Sequence, residues 1–404
     1  MSSKNVLFLS ISSLPPMTEH GISLDLIRQM QQHGHKVYVV CSAERRSGQP
    51  TALTEECGCH VLRVRIGNNK NTNIIEKGIT NLLLPYQYIA AIKTYFGDVK
   101  FDAVLYPTPP VTQAATVEYI KKRDGAKAYL LLKDIFPQNA VDIGMMTKKG
   151  VKSIIYKLFR RKEEKLYRLS DAIGCMSRAN VDFLLQHNPD IPTEKVHVNP
   201  NSVDVFPYER DGATKAAVYE KYGIPADATT FIYGGNLGRP QDIPFIIECL
   251  KANADKPDRF FVVCGNGTEY PKLQAYVEEY KPSNVLLMNG LPKTEYEEFV
   301  KAFDVGLIFL DHRFTIPNFP SRLLSYMQSR MPVLACTDPH TDVGQVIAEG
   351  GFGWWCESNS AAAFTARVEE AIAADREPMG DKGYDYLTEH YTSAHSYDIL
   401  MKHL

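Results

Sequence analysis

Long hydrophobic runs are what this sequence most plainly lacks. No stretch of about eighteen uncharged apolar residues occurs in it, and a helix needs about 20 to cross a bilayer, so no membrane-spanning helix is expected. The apolar run within Met1–Ser10 lasts about six residues before serine and proline intervene, too short for a signal-peptide core. A protein that stays in the cytoplasm is expected. Excess charge of either sign is missing too: 45 Lys and Arg stand against 47 Asp and Glu, a formal net charge of −2. Nothing draws the whole chain toward nucleic acid, and any basic site must be local. Paired-cysteine motifs are also absent. The 8 cysteines are scattered, mostly through apolar, strand-like runs, with no Cys-x-x-Cys pair, which fits buried thiols in a reducing compartment. Cys57, Cys59 and His60 form the one metal-like cluster, but no second ligand pair follows at zinc spacing, so no metal is expected. Low-complexity tracts and short-period repeats are absent.

What is present is a globular chain of 404 residues, 44% apolar and 23% charged. That length exceeds what one hydrophobic core serves, and two domains of about 200 residues follow. Short β-branched apolar runs alternate with longer helical patterns, the signature of parallel sheets built from βαβ units. Strands are predicted over Val6–Ile11, Lys36–Cys41, His60–Val64, Ala103–Tyr106, Ala128–Leu132, Ala172–Met176 and Lys195–Val198, with helices such as Ile22–Gln32, Val111–Lys122 and Ala179–Gln186 between them. The pattern restarts with Thr230–Tyr233, Phe260–Cys264, Val285–Met288, Val305–Phe309, Val333–Ala335 and Gly353–Trp355. The Pro/Asn-rich stretch Asn199–Pro207 breaks both periodicities and marks the joint. The expected fold is therefore α/β: two Rossmann-like, doubly wound domains with mainly parallel sheets, facing across a cleft. The first spans 1–205 and the second 206–384, with a helical tail over 385–404 packing back on the first.

Three turns in the second half suit an anion. Gly234-Gly235-Asn236-Leu237-Gly238-Arg239 ends a strand and opens a helix, where backbone amides and the helix dipole favour negative charge and Arg239 adds a fixed positive one. Tight βα packing would explain the glycines equally well. Cys264-Gly265-Asn266-Gly267 repeats the strand-to-glycine pattern, leaving room for a base or ribose. Pro320-Ser321-Arg322 opens a third helix, with Pro320 placed in its first turn. A cation there opposes the dipole unless an anion visits. Three such turns at the carboxyl edge of one sheet, where ligands of this architecture bind, point to a nucleotide diphosphate.

From Tyr233 to Ala335 the order Y-G-G-N-L-G-R-x-Q, V-C-G-N-G, N-G-L-P, D-V-G-L and P-S-R-L-L-S-Y-M-x-x-x-x-P-V-L-A resembles the family 4 retaining glycosyltransferases of the GT-B fold. It is most similar to the subgroup that builds bacterial capsule, O-antigen and other polysaccharides. The first half agrees: Gln32–Val40 resembles the family's L-x-x-x-G-H-x-V-x-V strand entry, Lys133–Ala140 the subgroup's R-D-L-W-P-E-S segment, and His197–Asp204 its V-I-P-N-G-V-D linker. The resemblance implies a UDP-sugar or similar nucleotide sugar as substrate, no cofactor and no required metal, and a glycan or polyprenyl-diphosphate-linked acceptor. Gly265, Asn266, Gly267, Leu291 and Pro292 would frame the nucleoside. Arg322, with Pro320, Ser321 and Leu323, would hold the diphosphate, and Gly235, Asn236 and Gln241 would face it. His20 and Gly21 would close over sugar and acceptor.

Two departures stand out. Family members often carry an Arg and a Lys where this chain has Asn236 and Gln241, so positive charge falls to Arg239 and Arg322. The family's two glutamates, eight residues apart, correspond to Pro317 and Ser325, and Ser325 can still accept a ribose hydrogen bond. Asp134 at a strand end could activate the acceptor hydroxyl or cap a helix. Lys148–Arg168 reads as a basic amphipathic helix and Leu82, Leu83, Leu84, Tyr86 and Tyr88 as exposed apolar residues. Together they suit peripheral contact with the inner membrane face, though a solvated helix packed on the sheet reads the same way. Two other functions share this architecture: a nucleotide-sugar 2-epimerase, which needs carboxylates and histidine to move a proton at carbon, and a non-catalytic nucleotide-sugar-binding relative.

Overall fold

The computed structural model describes residues 2–69, 72, 74–151, 153–208 and 212–404. The chain divides into two compact units, Met1–Asp204 with Thr392–Leu404, and Val205–Tyr391.

In the first unit the strands are β1 (Asn5–Leu9), β2 (Lys36–Glu44), β3 (Ala52–Glu56), β4 (Cys59–Ile66), β5 (Ala103–Thr108), β6 (Lys127–Leu132), β7 (Ala172–Cys175) and β8 (Val196–Val198). They form one sheet in the order β3-β4-β2-β1-β5-β6-β7-β8. Helices cover both faces, so the inner strands are apolar throughout instead of alternating. Val6, Leu7, Phe8 and Leu9 of β1 are all buried. The strand that sequence reasoning missed is β3, which pairs antiparallel with β4 at the sheet edge. Its sequence Ala-Leu-Thr-Glu-Glu is half-buried at best and carries no apolar alternation.

The second unit holds β9 (Thr229–Asn236), β10 (Arg259–Asn266), β11 (Val285–Met288), β12 (Val305–Phe309), β13 (Val333–Thr337) and β14 (Gly353–Glu357), in the order β11-β10-β9-β12-β13-β14. Every pairing in this sheet is parallel. Phe231, Phe261, Leu307 and Leu334 from its strands share one core with Ile246, Leu250, Phe364 and Val368 from the helices.

The tail differs from the expected 385–404 segment. Helix Arg376–His390 stays within the second unit, where Arg330 pairs with Asp381 at 2.7 Å and the Phe352 and Tyr386 rings lie 5.5 Å apart. Only Thr392 onward belongs to the first unit. There Thr392 caps helix Ser393–Met401 by accepting from His395 N, and Ser393 N donates to Val203 O at 2.9 Å. Tyr397, Leu400 and Met401 then fill the core beside Leu24, Ile27 and Met30 of helix Ile22–Gln32. An amphipathic pattern alone does not say which of two cores a helix serves.

Leu400 is fully buried in that core. Leu400→Ala should therefore destabilise the first unit by about 2–5 kcal/mol. Urea unfolding should show a lower midpoint with the slope unchanged.

Candidate functional site

The second unit's site begins where β9 and β10 end in register, Gly235 opposite Gly265 and Asn236 opposite Asn266. A Cβ on Gly265 would overlap Gly235 O, and one on Gly267 would overlap the Leu237 backbone. These two glycines thus serve close strand-to-turn packing, which accounts for them without any ligand. Gly234 and Gly235 leave room for side chains from elsewhere. A Cβ on Gly234 would collide with the Tyr296 hydroxyl, and Gly235, at φ 137°, would bring its Cβ within 2.6 Å of Arg322 Nη2.

Arg322 is the first residue of helix Arg322–Gln328, with Ser321 as a cap that makes no side-chain bond. Pro320 therefore stands before the helix, outside the first turn predicted for it. The Leu323 amide, expected to face an anion, donates instead to Pro320 O at 3.2 Å, and its side chain is buried. The Arg322 guanidinium lies 4.9 Å from the centroid of the Tyr296 ring, a cation–π geometry that fixes its direction. No ion pair to Arg322 occurs among the described residues, so its charge is uncompensated. The Leu291-Pro292 turn has a part in this: Pro292 precedes helix Lys293–Phe299, and Tyr296 N donates to Pro292 O at 2.8 Å. Asn266 extends over the same turn, its Nδ2 being 2.9 Å from where a Gly290 Cβ would stand.

Other expected residues are already engaged. Arg239 is exposed and leans toward Glu269 at 3.9 Å. Asn236 Nδ2 donates to Gln241 Oε1 at 2.9 Å, and Gly238 N donates to the same oxygen at 3.2 Å, which closes the turn. Ser325 is half-buried in its helix, where its carbonyl accepts from Ser329 N at 3.2 Å. Sequence reasoning missed Tyr296 and read Tyr326 only as part of a motif. Fully buried Tyr326 donates to Ile232 O or Leu307 O, each at 3.1 Å, and accepts from Gly234 N at 3.3 Å. It ties β9 to β12, where only two residue pairs are in register.

In the first unit Gly21 N donates to Asp25 Oδ1 at 3.2 Å, and His20 Nδ1 lies 3.1 Å from the same oxygen. Buried Asp25 is the hub of this loop, and a charged residue on the apolar face of its helix was the available signal. Arg28 pairs with Asp25 at 2.8 Å and with Asp204 at 2.7 Å. Two groupings have metal-ligand spacing, His20 with Asp25 and Asp204, and Asp242 with Asp311 and His312. In each a guanidinium already balances carboxylate charge: Arg28 in the first, and Arg313 on Asp311 in the second.

Asp134 follows β6. Its Oδ2 accepts from Asn139 Nδ2 at 2.6 Å, while Oδ1 is buried with no partner among the described residues. Burial pushes this carboxyl up to about 6. The helix-cap reading fails, because helix Gln138–Asp142 is preceded by Pro137 and has no side-chain cap.

The basic helix is observed as Ser153–Leu169, and Lys152 lies outside the described residues. Val151, Ile154, Ile155 and Leu158 are exposed, as are Ile79, Leu82, Leu83 and Tyr86 of helix Ile74–Tyr95. Leu84 and Tyr88, expected to be exposed, are buried, one helical turn apart on the core side, and the Tyr88 hydroxyl donates to Ser10 O at 2.6 Å. Glu163 of this helix is buried and bonded to Arg160 and Tyr167. Among the described residues no helix is long and apolar enough to cross a membrane.

Two parallel α/β units with an anion-competent carboxyl edge define a GT-B type of protein, and comparison with known families agrees. Residues 23–205 match the Glycosyltransferase Family 4 model and residues 215–385 the Glycosyl transferases group 1 model. The chain belongs to the GT-B glycosyltransferases. It is 24% identical to a protein named as a probable glycosyltransferase, WbjE of Pseudomonas aeruginosa, over 80% of this chain and 79% of that one. It is 21% identical to WcaI of Escherichia coli K12, described as a colanic acid biosynthesis glycosyl transferase, over 68% of this chain and 67% of that one. Among solved structures, Anabaena HepE in complex with UDP-glucose is similar in fold, with a TM-score of 0.70 at 12% identity, covering 99% of this chain and 98% of that one.

Asp338, just past β13, is also pushed up to about 6 by burial. For both Asp134 and Asp338 the folded value lies above the ordinary aspartate value of 3.8, so between roughly pH 4 and 6 the folded state keeps protons that the unfolded state has lost. Their contribution to stability should fall as pH rises through that window and stay flat above it. Urea unfolding from pH 4 to 7 should show this slope reduced in Asp134→Asn and in Asp338→Asn.

Proposed function

We propose that this chain is a retaining, hexosyltransferase-type enzyme. It would move a sugar from a nucleotide-diphosphate sugar, UDP-sugar being favoured, to a glycan or polyprenyl-diphosphate-linked acceptor in synthesis of a surface polysaccharide such as capsule or O-antigen. The observation that carries the reading is the Arg322 guanidinium, without an ion pair among the described residues, fixed on Tyr296 and against Gly235. When the bond from the anomeric carbon to the diphosphate breaks, negative charge grows on the leaving oxygens. A preorganised guanidinium aimed there stabilises that charge without reorganising. The acceptor oxygen then bonds to the anomeric carbon, and its proton passes to a base, for which Asp134 is the candidate. On this reading no metal and no cofactor is needed, Arg322 supplying the charge a cation would. HepE bound to UDP-glucose and the colanic acid connection of WcaI support the donor and the pathway class.

Arg322→Ala should lower turnover of a UDP-sugar by about 10²-fold or more. Equal initial rates for the purified variant and wild type would remove Arg322 from the mechanism.

The acceptor reading includes a cytoplasmic enzyme that meets the inner membrane face peripherally. It is supported by the exposed Val151, Ile154, Ile155 and Leu158 beside Lys157, Arg161 and Lys162 on helix Ser153–Leu169. The protein should float with vesicles rich in anionic lipid at low salt and separate from them at high salt. Failure to bind such vesicles at any salt concentration would remove the membrane contact and leave the donor chemistry untouched.

A further inference from the structure

Strands β13 and β14 lie side by side and parallel at one edge of the second unit's sheet, and their register sets Cys336 directly opposite Cys356. Neighbouring strands stand about 4.8 Å apart, inside the span of about 4.4–6.8 Å between the Cα atoms of disulfide partners. The two side chains also turn toward each other, Sγ to Sγ at 3.2 Å. Both are free thiols. Closing that gap to a bond of about 2 Å asks each sulfur to move by about half an ångström.

The two thiols are not equivalent. Cys336 is fully buried, and burial holds its thiol well above the ordinary value. Cys356, on the edge strand, is 8% exposed, whereas Cys41, Cys59, Cys175, Cys249, Cys264 and Cys336 are at 1% or less. The Cys336 S–H donates to Cys356 Sγ, and this bond, helped by the charge of Arg367 on helix Ala361–Ala373, draws the Cys356 thiol below its ordinary value despite partial burial. Thiolate is the reactive form of cysteine, so the sulfur nearer to solvent is also the better nucleophile.

We infer that Cys356 and Cys336 form a redox modification site, in which a hydroperoxide oxidises Cys356 and Cys336 resolves the product as a reversible disulfide joining β13 to β14. In the first step the Cys356 sulfur attacks one oxygen of hydrogen peroxide, the O–O bond breaks, and the departing hydroxide takes up the thiol's proton as water. In the second the Cys336 sulfur attacks the Cys356 sulfenic sulfur, the S–O bond breaks, and hydroxide leaves as water with the Cys336 proton. Two thiols and one peroxide thus give one disulfide and two waters, with sulfur giving up the two electrons that the peroxide oxygens gain.

The test treats the reduced full chain with hydrogen peroxide, removes the excess with catalase, unfolds the protein in iodoacetamide and digests it with trypsin without a reductant. No Lys or Arg lies between Met331 and Ala366, so trypsin releases both cysteines in the one peptide Met331–Arg367, whose mass reports their state. Without peroxide this peptide should carry two alkyl groups. After peroxide it should carry none and weigh two hydrogens less, and dithiothreitol before alkylation should restore both groups. Exposed Cys57 marks the dose, its alkylation falling as peroxide acts. In Cys336→Ser the Cys356 sulfenic acid has no resolving thiol and should be trapped by dimedone, whereas in Cys356→Ser the Cys336 thiol should stay open to alkylation. The inference is overturned if the wild-type peptide still takes both alkyl groups at a dose that has consumed Cys57, or if Cys356 gains oxygen while Cys336 stays free. Dimedone labelling of Cys336 in Cys356→Ser, as strong as that of Cys356 in Cys336→Ser, overturns the assignment of attacking and resolving sulfur. Wild type alone decides the first two outcomes, whether or not either variant folds.

Discussion

The packing at the second sheet's carboxyl edge depends on a place where side chains are missing. Residues 234 and 235 carry no Cβ, and into that space come the Tyr296 hydroxyl end and the Arg322 guanidinium. Any other residue at either position would push one of them away. The guanidinium is then held by a ring beneath it, with no carboxylate paired to it among the described residues. This contact depends on further packing: Tyr296 is positioned by the Leu291-Pro292 turn, and Arg322 opens a helix whose Tyr326 is bonded to the backbone of β9 and β12. Sheet, turn and helix start thus share one small volume of close packing.

The alternation of apolar runs and helical patterns made the fold legible, because strands buried on both faces leave continuous β-branched stretches such as Val-Leu-Phe-Leu in β1. Where burial stops, so does the signal. β3 is an edge strand held by backbone pairing to β4 and by Arg63 bonded to Glu56, contacts that depend on residues brought in by the fold. The tail shows the same limit. Helix Arg376–His390 and helix Ser393–Met401 are both amphipathic in sequence, and they belong to different units because of partners such as Asp381 with Arg330 and Ser393 with Val203.

The site was legible as a set of turns and illegible as a set of roles. Glycine spacing pointed to the carboxyl edge, yet Gly265 and Gly267 answer to backbone approach, Gly234 to Tyr296 and Gly235 to Arg322. Asn236 and Gln241 look like ligand contacts in sequence and bond to each other in the structure. Tyr296, which orients the guanidinium, lies in a Lys-Thr-Glu-Tyr-Glu-Glu-Phe helix that carries no motif.

Three arginines show how geometry sorts charge into structure and function. Arg28 bonds to Asp25, Asp204 and the Glu19 carbonyl, and its charge is consumed in holding the loop after β1. Arg313 does the same for buried Asp311. In both places carboxylates gather at metal-ligand spacing, but the positive charge they require comes from the chain itself. Arg322 is the converse case, a fixed cation with no carboxylate partner among the described residues. The acidic clusters are thus neutralised within the chain, while a guanidinium held at the sheet's carboxyl edge has no ion pair among the described residues. On the reading proposed above, that asymmetry would let Arg322 stabilise negative charge on a departing diphosphate.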